Sequence, residues 1–267
     1  MTPVDVFSVE RLGYVAILWM DNPKSAFGAP FWDGLPAQMN ALSDDEQVRV
    51  VIIASRSPHF SVGLDIKTPQ PPLAGASEAA RRRALLARVK HHQATINSVA
   101  DCPKPVIAAV HGYCLGAGID LVTACDIRLA AADAVFSIRE TRIAAVADVG
   151  TLQRLPGIIS HGHVAELAFT GRDISADVAL HIGLVNRLVT DREVLTAQAL
   201  DVAHEIAANS PLAVQGVKAV LRANTGRSVA EGLDFVAIWA AAFLGSDDNL
   251  EARRALLERR PPRFSGA

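Results

Sequence analysis

The chain has 267 residues, 50% of them hydrophobic and 20% charged, and its 26 lysines and arginines against 28 aspartates and glutamates give a formal net charge of −2. That apolar share supports a sizeable core and excludes wholesale disorder, and the length allows one large domain or two small ones. Balanced charge offers no field for a polyphosphate backbone and a 5% aromatic share offers little base-stacking surface, which disfavours a dedicated nucleic-acid binder.

Along the chain, residues 7–20 read as two alternating runs around Gly13, a β-hairpin start. Residues 21–24 break into a loop and 30–42 predict a helix. The β-branched run 48–54 predicts a buried strand, followed by a small, polar loop over 55–67. Residues 68–76 hold three prolines and a glycine, and 78–100 predict a helix with Arg81, Arg82, Arg83, Arg88 and Lys90 on its basic part. A second buried strand at 105–110 leads into a glycine-rich loop, 112–118, and a helix over 120–125. Short strands follow at 126–131 and 135–138. Helices then dominate, at 157–170, 175–181, 191–209, 211–223, 229–244 and 247–259, with one strand at 184–189. The pattern predicts an α/β core over residues 1–190 and a helical C-terminal region over 191–267.

Cys102, Cys114 and Cys125 have no CxxC spacing and leave an odd thiol, so they read as buried thiols in a reducing compartment. Residues 1–10 lack the basic and apolar regions of a signal peptide. The most apolar window, 106–119, is shorter than the ~20 residues that span a bilayer. The expectation is a soluble intracellular protein without a membrane or a metal.

Three features can carry chemistry. In His111-Gly112-Tyr113-Cys114-Leu115-Gly116-Ala117-Gly118 a strand feeds a glycine-rich turn that opens a helix, so backbone N–H groups converge with a helix dipole behind them. That nest suits a phosphate or a developing oxyanion, or is simply a tight turn. It meets neither the dinucleotide nor the Walker A pattern, because Leu121 stands where the third glycine belongs and no Gly-Lys-Ser/Thr follows. The second feature, Phe60-Ser61-Val62-Gly63-Leu64-Asp65, also follows a buried strand, with Gly63 allowing close approach to a ligand. The third is the carboxylates. Asp148, in an apolar run, reads as a desolvated proton carrier or a turn former, and Glu140 as an acid after a strand or a surface partner of Arg139 or Arg142. On one straight helix their Cα atoms would stand about 12 Å apart, so convergence needs an irregular segment. Asp120 complements the helix dipole. The histidines form no HExxH, and His91, His92, His161 and His163 read as solvated; no GxSxG is present. The arginine-rich faces at 81–90 and 253–263 read as solvated surfaces or phosphate contacts.

Taken together, FSVGLD at 60–65, CPKPVIAAVHGYCLGAG at 102–118 and ACDIRLA at 124–130 resemble the crotonase (enoyl-CoA hydratase/isomerase) superfamily over most of the chain. ADVGTLQRLP at 147–156 and ELAFTG at 166–171 are similar to its Δ3,5-Δ2,4-dienoyl-CoA isomerase branch, with Asp120, Glu140 and Asp148 on that branch's acidic positions. The resemblance implies an α/β fold, a spiral of ββα turns with a helical C-terminal extension for assembly into homotrimers or hexamers. It implies an acyl-CoA thioester substrate and no metal or redox cofactor, coenzyme A being part of the substrate. The N–H groups of Leu64 and Ala117 would form an oxyanion hole, and Ser61, Val62, Gly63, Leu64, Asp65 and Ala117 would line the CoA side. Glu140 would take a proton from C2 of a 3,5-dienoyl-CoA, Asp148 would supply one at C6, and Asp120 would tune the pair. Hydration of a 2-enoyl-CoA by Asp120 and Glu140, or non-catalytic acyl-CoA binding, are the alternatives. The loop at 22–27 departs from the family's usual pattern, leaving Lys24 or Lys67 as candidate phosphate contacts. Residues 264–267 do not form a peroxisomal address, so a cytoplasmic setting is expected.

Overall fold

The computed structural model describes residues 6–22, 25–67 and 77–267, so the candidate Lys24 lies outside the described residues. Strands β1 (Phe7–Leu12) and β2 (Val15–Met20) form the expected antiparallel hairpin, with Gly13 turning at a φ of +62° that glycine adopts without strain. Parallel pairing then adds β3 (Val50–Ser55), β4 (Val106–Val110), β6 (Ile127–Ala131) and β9 (Arg187–Val189), in the order β1-β2-β3-β4-β6-β9.

A parallel sheet needs cover on both faces, and the period-two alternation of its strands supplies two apolar faces. Val51, Ile53, Val106 and Ala108 share one core with Leu35 and Met39 of α1 (Ala29–Asp44) and Ile96 and Val99 of α2 (Glu78–Asp101). Val50, Ile52, Ile107 and Ala109 share the other with Leu195, Ala199 and Ala203 of α7 (Arg192–Ala207).

A second sheet joins β5 (Tyr113–Leu115), β7 (Val135–Ser137) and β8 (Ile174–Ser175) in the order β5-β7-β8. The stretch expected to be an unbroken loop over 112–118 therefore contains a strand. Three residues between glycines carry no strand signal of their own, and the ladder to β7 makes them one. The remaining helices are α3 (Ala117–Ala124), α4 (Thr151–Arg154), α5 (His161–Thr170), α6 (Ala176–His181), α8 (Pro211–Ala223), α9 (Val229–Phe243) and α10 (Asp247–Glu258). Ser160, Ser175, Asp191, Ser210, Ser228 and Ser246 each accept an N–H of the following first turn, which fixes where the late helices begin. While α7 is seated on the sheet, α8 to α10 leave Leu221, Leu233, Ile238, Leu256 and Leu257 exposed. No single described helix is long and apolar enough to cross a bilayer.

Candidate active site

Because β3 and β4 run parallel, both chains leave the sheet at the same edge. The two loops that follow are zipped together by main-chain bonds: Phe60 N–H to His111 O at 2.9 Å, Ser61 N–H to Tyr113 O at 2.8 Å, and Leu115 N–H to Ser61 O at 3.0 Å. Farther on, Phe27 donates to Gly63 O at 2.8 Å and accepts from Asp65 N–H at 3.1 Å. These bonds flank Leu64 and leave its own N–H unused. Ala117 opens α3, where an N–H has no intrahelical acceptor. Among the described residues no acceptor meets either N–H.

Gly63 holds these two donors close. Its φ is +89°, and a Cβ there would stand 3.0 Å from Leu115 O and 3.6 Å from the nitrogen of Ala117. The other residues of this loop divide between structure and surface. Ser61 is fully buried and its hydroxyl accepts the Gly63 N–H at 3.0 Å, so its side chain shapes the loop. Asp65 accepts the Lys67 N–H at 3.0 Å. Val62, Leu64 and Lys67 reach solvent.

The acids come next in the chain. Glu140 follows β7 at the start of a 3-10 turn, Glu140–Ile143, and its Oε1 lies 3.2 Å from where a Cβ on Gly116 would be. Its Oε2 is buried with no partner among the described residues. The Arg139 side chain turns to Asp173 instead, its Nη2 donating to both carboxylate oxygens at 2.8 and 2.7 Å. Burial pushes the Glu140 carboxyl above the usual glutamate range, and the negative charge of Asp148 adds a smaller push. A buried carboxylate oxygen without a donor is open to accept a proton.

Asp120 is buried in α3, and its Oδ1 accepts both the N–H and the hydroxyl of Thr151 at 2.7 Å. Burial raises its pKa to about 7 against those two bonds, with the Glu140 charge adding to the rise. Asp120 therefore does more than complement a helix dipole: it fixes the start of α4.

Asp148 differs from the sequence expectation. Ala147 and Val149 point into the core while Asp148 is exposed, so the apolar run does not desolvate it. The path from Glu140 is irregular, as convergence requires. Ala144 takes a left-handed φ of +55° after the 3-10 turn, and Gly150 takes +132° before α4. A side chain at Gly150 would collide with the guanidinium of Arg154.

Sequence reasoning missed the residues that hold this segment. Gln93 Nε2 donates to Asp148 O at 2.6 Å, and Arg154 joins Val149 O at 3.5 Å to the Asn97 side chain. The one available signal was the four-residue spacing of Gln93 and Asn97, which puts both on one helix face. The histidines expected to be solvated also divide, for His92 stacks on Trp32 with ring centroids 4.0 Å apart while His91 reaches Asp33 at 3.0 Å.

These features sit in a recognisable setting. The enoyl-CoA hydratase/isomerase family profile matches residues 10–267, and the chain belongs to that family. It is 40% identical over 245 residues to the peroxisomal Delta(3,5)-Delta(2,4)-dienoyl-CoA isomerase of Arabidopsis thaliana, covering 90% of this chain and 88% of that one. It is 38% identical over 256 residues to the mitochondrial enzyme of the same name from Dictyostelium discoideum, covering 94% and 87%. The crystal structure of an enoyl-CoA hydratase from Bacillus anthracis superposes with a TM-score of 0.89 at 31% identity, over 98% of this chain and 100% of the other, so the crotonase fold expected from the sequence is the fold observed. The cytoplasmic setting is overturned, since these two isomerases are named peroxisomal and mitochondrial. That expectation leaned on four terminal residues, and a chain end alone does not locate a protein.

Proposed function

We propose that the protein is a Δ3,5-Δ2,4-dienoyl-CoA isomerase of fatty-acid breakdown. The carrying observation is a buried carboxylate oxygen without a partner beside the loop that carries an unused N–H. Glu140, its Oε2 unbonded, sits beside Gly116, the residue before the free N–H of Ala117. In this reading the N–H groups of Leu64 and Ala117 receive the thioester oxygen as an oxyanion hole, and Glu140 removes a proton from C2. The resulting dienolate carries its charge on that oxygen, where each donor contributes about 3–4 kcal/mol at such a step. Asp148, exposed and near enough to raise the Glu140 pKa, returns a proton at C6, and the double bonds move from 3,5 to 2,4. One proton leaves and one arrives, so the reaction balances without a redox partner. Asp120 positions the acid segment through Thr151.

The 60–65 loop and Lys67 supply the CoA-side groove. The exposed apolar side chains of α8 to α10 and a groove of about 560 Å³ lined by Val220, Trp239 and Phe243 support homotrimers or hexamers built on this C-terminal region. Hydration of a 2-enoyl-CoA is the second reading, and likeness to the Bacillus hydratase favours it. Against it, Asp120 Oδ1 already accepts two bonds from Thr151, and hydration leaves Asp148 without a task.

The test is a parallel absorbance assay on a 3,5-dienoyl-CoA and a 2-enoyl-CoA. Growth of the conjugated dienoyl band, much faster than loss of the enoyl band, is the expected result. The reverse order makes the protein a hydratase, and silence in both with acyl-CoA still bound makes it a binding protein.

A further inference from the structure

An acid that delivers a proton to one carbon of a flexible chain must have its backbone fixed to a fraction of an ångström. Asp148 is exposed, and among the described residues none bonds its carboxylate. Its position is set through the main chain instead. Gln93 Nε2 donates to the carbonyl of Asp148 at 2.6 Å. Arg154 Nη1 reaches the next carbonyl, that of Val149, at 3.5 Å, and its Nη2 donates to Asn97 Oδ1.

Gln93 and Asn97 stand one turn apart on α2, so a single helix face carries both contacts. Another face of α2 ties the helix to α1. The His92 ring stacks on Trp32 of α1, and the Thr95 hydroxyl donates to Trp32 O at 2.8 Å. At the far end of the segment Thr151 is tied to Asp120. Glu140 is anchored separately, because Thr141 next to it donates to Ala168 O of α5 at 3.0 Å, and left-handed Ala144 separates the two pieces.

We infer that Gln93, with Asn97 and Arg154, is the frame that aims Asp148 at the distal carbon of the dienoyl chain. These are positioning residues: Gln93 and Arg154 act on main-chain carbonyls, Asn97 acts through Arg154, and none touches a reacting atom. The inference rests on Asp148 being the distal acid. Because the anchors of Glu140 and Asp148 are separate, loss of the frame damages the C6 step and spares the C2 step.

The experiment compares wild type, Gln93→Met, Asn97→Ala, Asp148→Asn and the double variant Gln93→Met/Asp148→Asn on a 3,5-dienoyl-CoA in heavy water. Deuterium incorporation at C2 reads the first step, and the conjugated-dienoyl absorbance reads the whole reaction. Gln93→Met keeps the side chain's length and removes its donor. It is expected to slow conjugation about tenfold to a hundredfold, with C2 exchange, KM and melting temperature little changed. Asn97→Ala, acting through Arg154, is expected to show the same split at smaller size. The double variant is expected to be no slower than Asp148→Asn alone, since both changes remove the same step.

Undiminished conjugation in Gln93→Met, equal loss of exchange and conjugation, or an additive loss in the double variant overturns the frame. If Gln93→Met does not fold, Asn97→Ala decides by the same split. Normal conjugation in Asp148→Asn removes the distal acid itself, and the frame with it. Blocked conjugation there beside a normal Gln93→Met removes the frame alone.

Discussion

The two walls of the candidate site are built in opposite ways. The donor wall, residues 60–65 and 111–117, is held almost wholly by main-chain bonds between neighbouring strands and loops. The groups proposed to act there are N–H groups that every residue but proline possesses. The acid wall, residues 139–154, has no strand, and side chains hold it: Arg139 on Asp173, Thr141 on Ala168 O, Gln93 on Asp148 O and Asp120 on Thr151. One wall tolerates substitution wherever glycine is not required, while the other depends on each named side chain. If the donor wall binds the thioester oxygen as proposed, a scaffold so divided can keep that contact while its acid side chains change, and a 31% identical hydratase shares the fold.

The largest effect separates the walls outright. Glu140→Gln keeps the shape of the acid wall and removes its base, so C2 deuterium exchange and turnover should both fall by about 10³-fold, with acyl-CoA affinity retained. Exchange within tenfold of wild type would show that another group takes the proton. On the donor wall the matching change is Gly63→Ala. The new methyl meets a φ of +89° and the Leu115 carbonyl at 3.0 Å, so the loop must shift and the Leu64 N–H with it. A fall in kcat of about 10²-fold is expected, larger than the change in KM, because the donor contributes most when the oxygen is charged.

Acidity sharpens the comparison next, since the two described carboxyls with raised pKa, Asp120 and Glu140, lie on or behind the acid wall. Glu140 must be ionised to accept a proton and its pKa is raised, so C2 exchange should fail as pH drops, at a higher pH than an ordinary glutamate would give. Removing the Asp148 charge in Asp148→Asn should move that limb to lower pH. Asp120 acts on stability. Its pKa rises from 3.8 to about 7 on folding, so between those values the native state holds a proton that the unfolded chain has lost. Its contribution is fully present below about pH 4 and is lost as pH rises through about 7. Asp120→Asn keeps an acceptor for Thr151 without this dependence. The variant should therefore gain on wild type, by a few kcal/mol at most, as denaturant melts are repeated from pH 5 to pH 8. A constant difference across that range would mean Asp120 is not protonated on folding.

What the sequence reveals follows the same division. The β-branched run at 48–54 differs from β3 by two residues at its start and one at its end, because a buried strand writes its burial into every side chain. Both glycine-rich loops are legible because backbone donors at a strand-to-helix turn need glycine nearby. Asp120, in the helix after the second loop, and Glu140, after a short strand, gain their roles in the sequence only through the family resemblance. The exposure of Asp148 is not legible, because an apolar run in sequence does not say which of Ala147, Asp148 and Val149 turns inward. Nor is the four-residue α4, too short for any periodicity, nor Gln93, whose bond crosses 55 residues to a main-chain carbonyl. A carbonyl acceptor leaves no trace in residue identity.

The smallest expected effect is the most direct check on the donor wall. Leu64 is 41% exposed and its side chain does not take part in the bonds that fix the loop, which run through Phe27 to Gly63 and Asp65 on either side. If its N–H is the working group, Leu64→Ala should leave kcat within about threefold, because truncation keeps the donor and its geometry. Leu64→Pro should cost about 10²-fold, because proline removes the N–H. Proline also restricts Gly63 before it, so circular dichroism and acyl-CoA affinity are read alongside. Equal losses in the two variants would assign the leucine side chain, and not its backbone, to the site. A wide gap between them with the fold intact places the chemistry on the main chain, where the bonding pattern around Leu64 leaves a donor free.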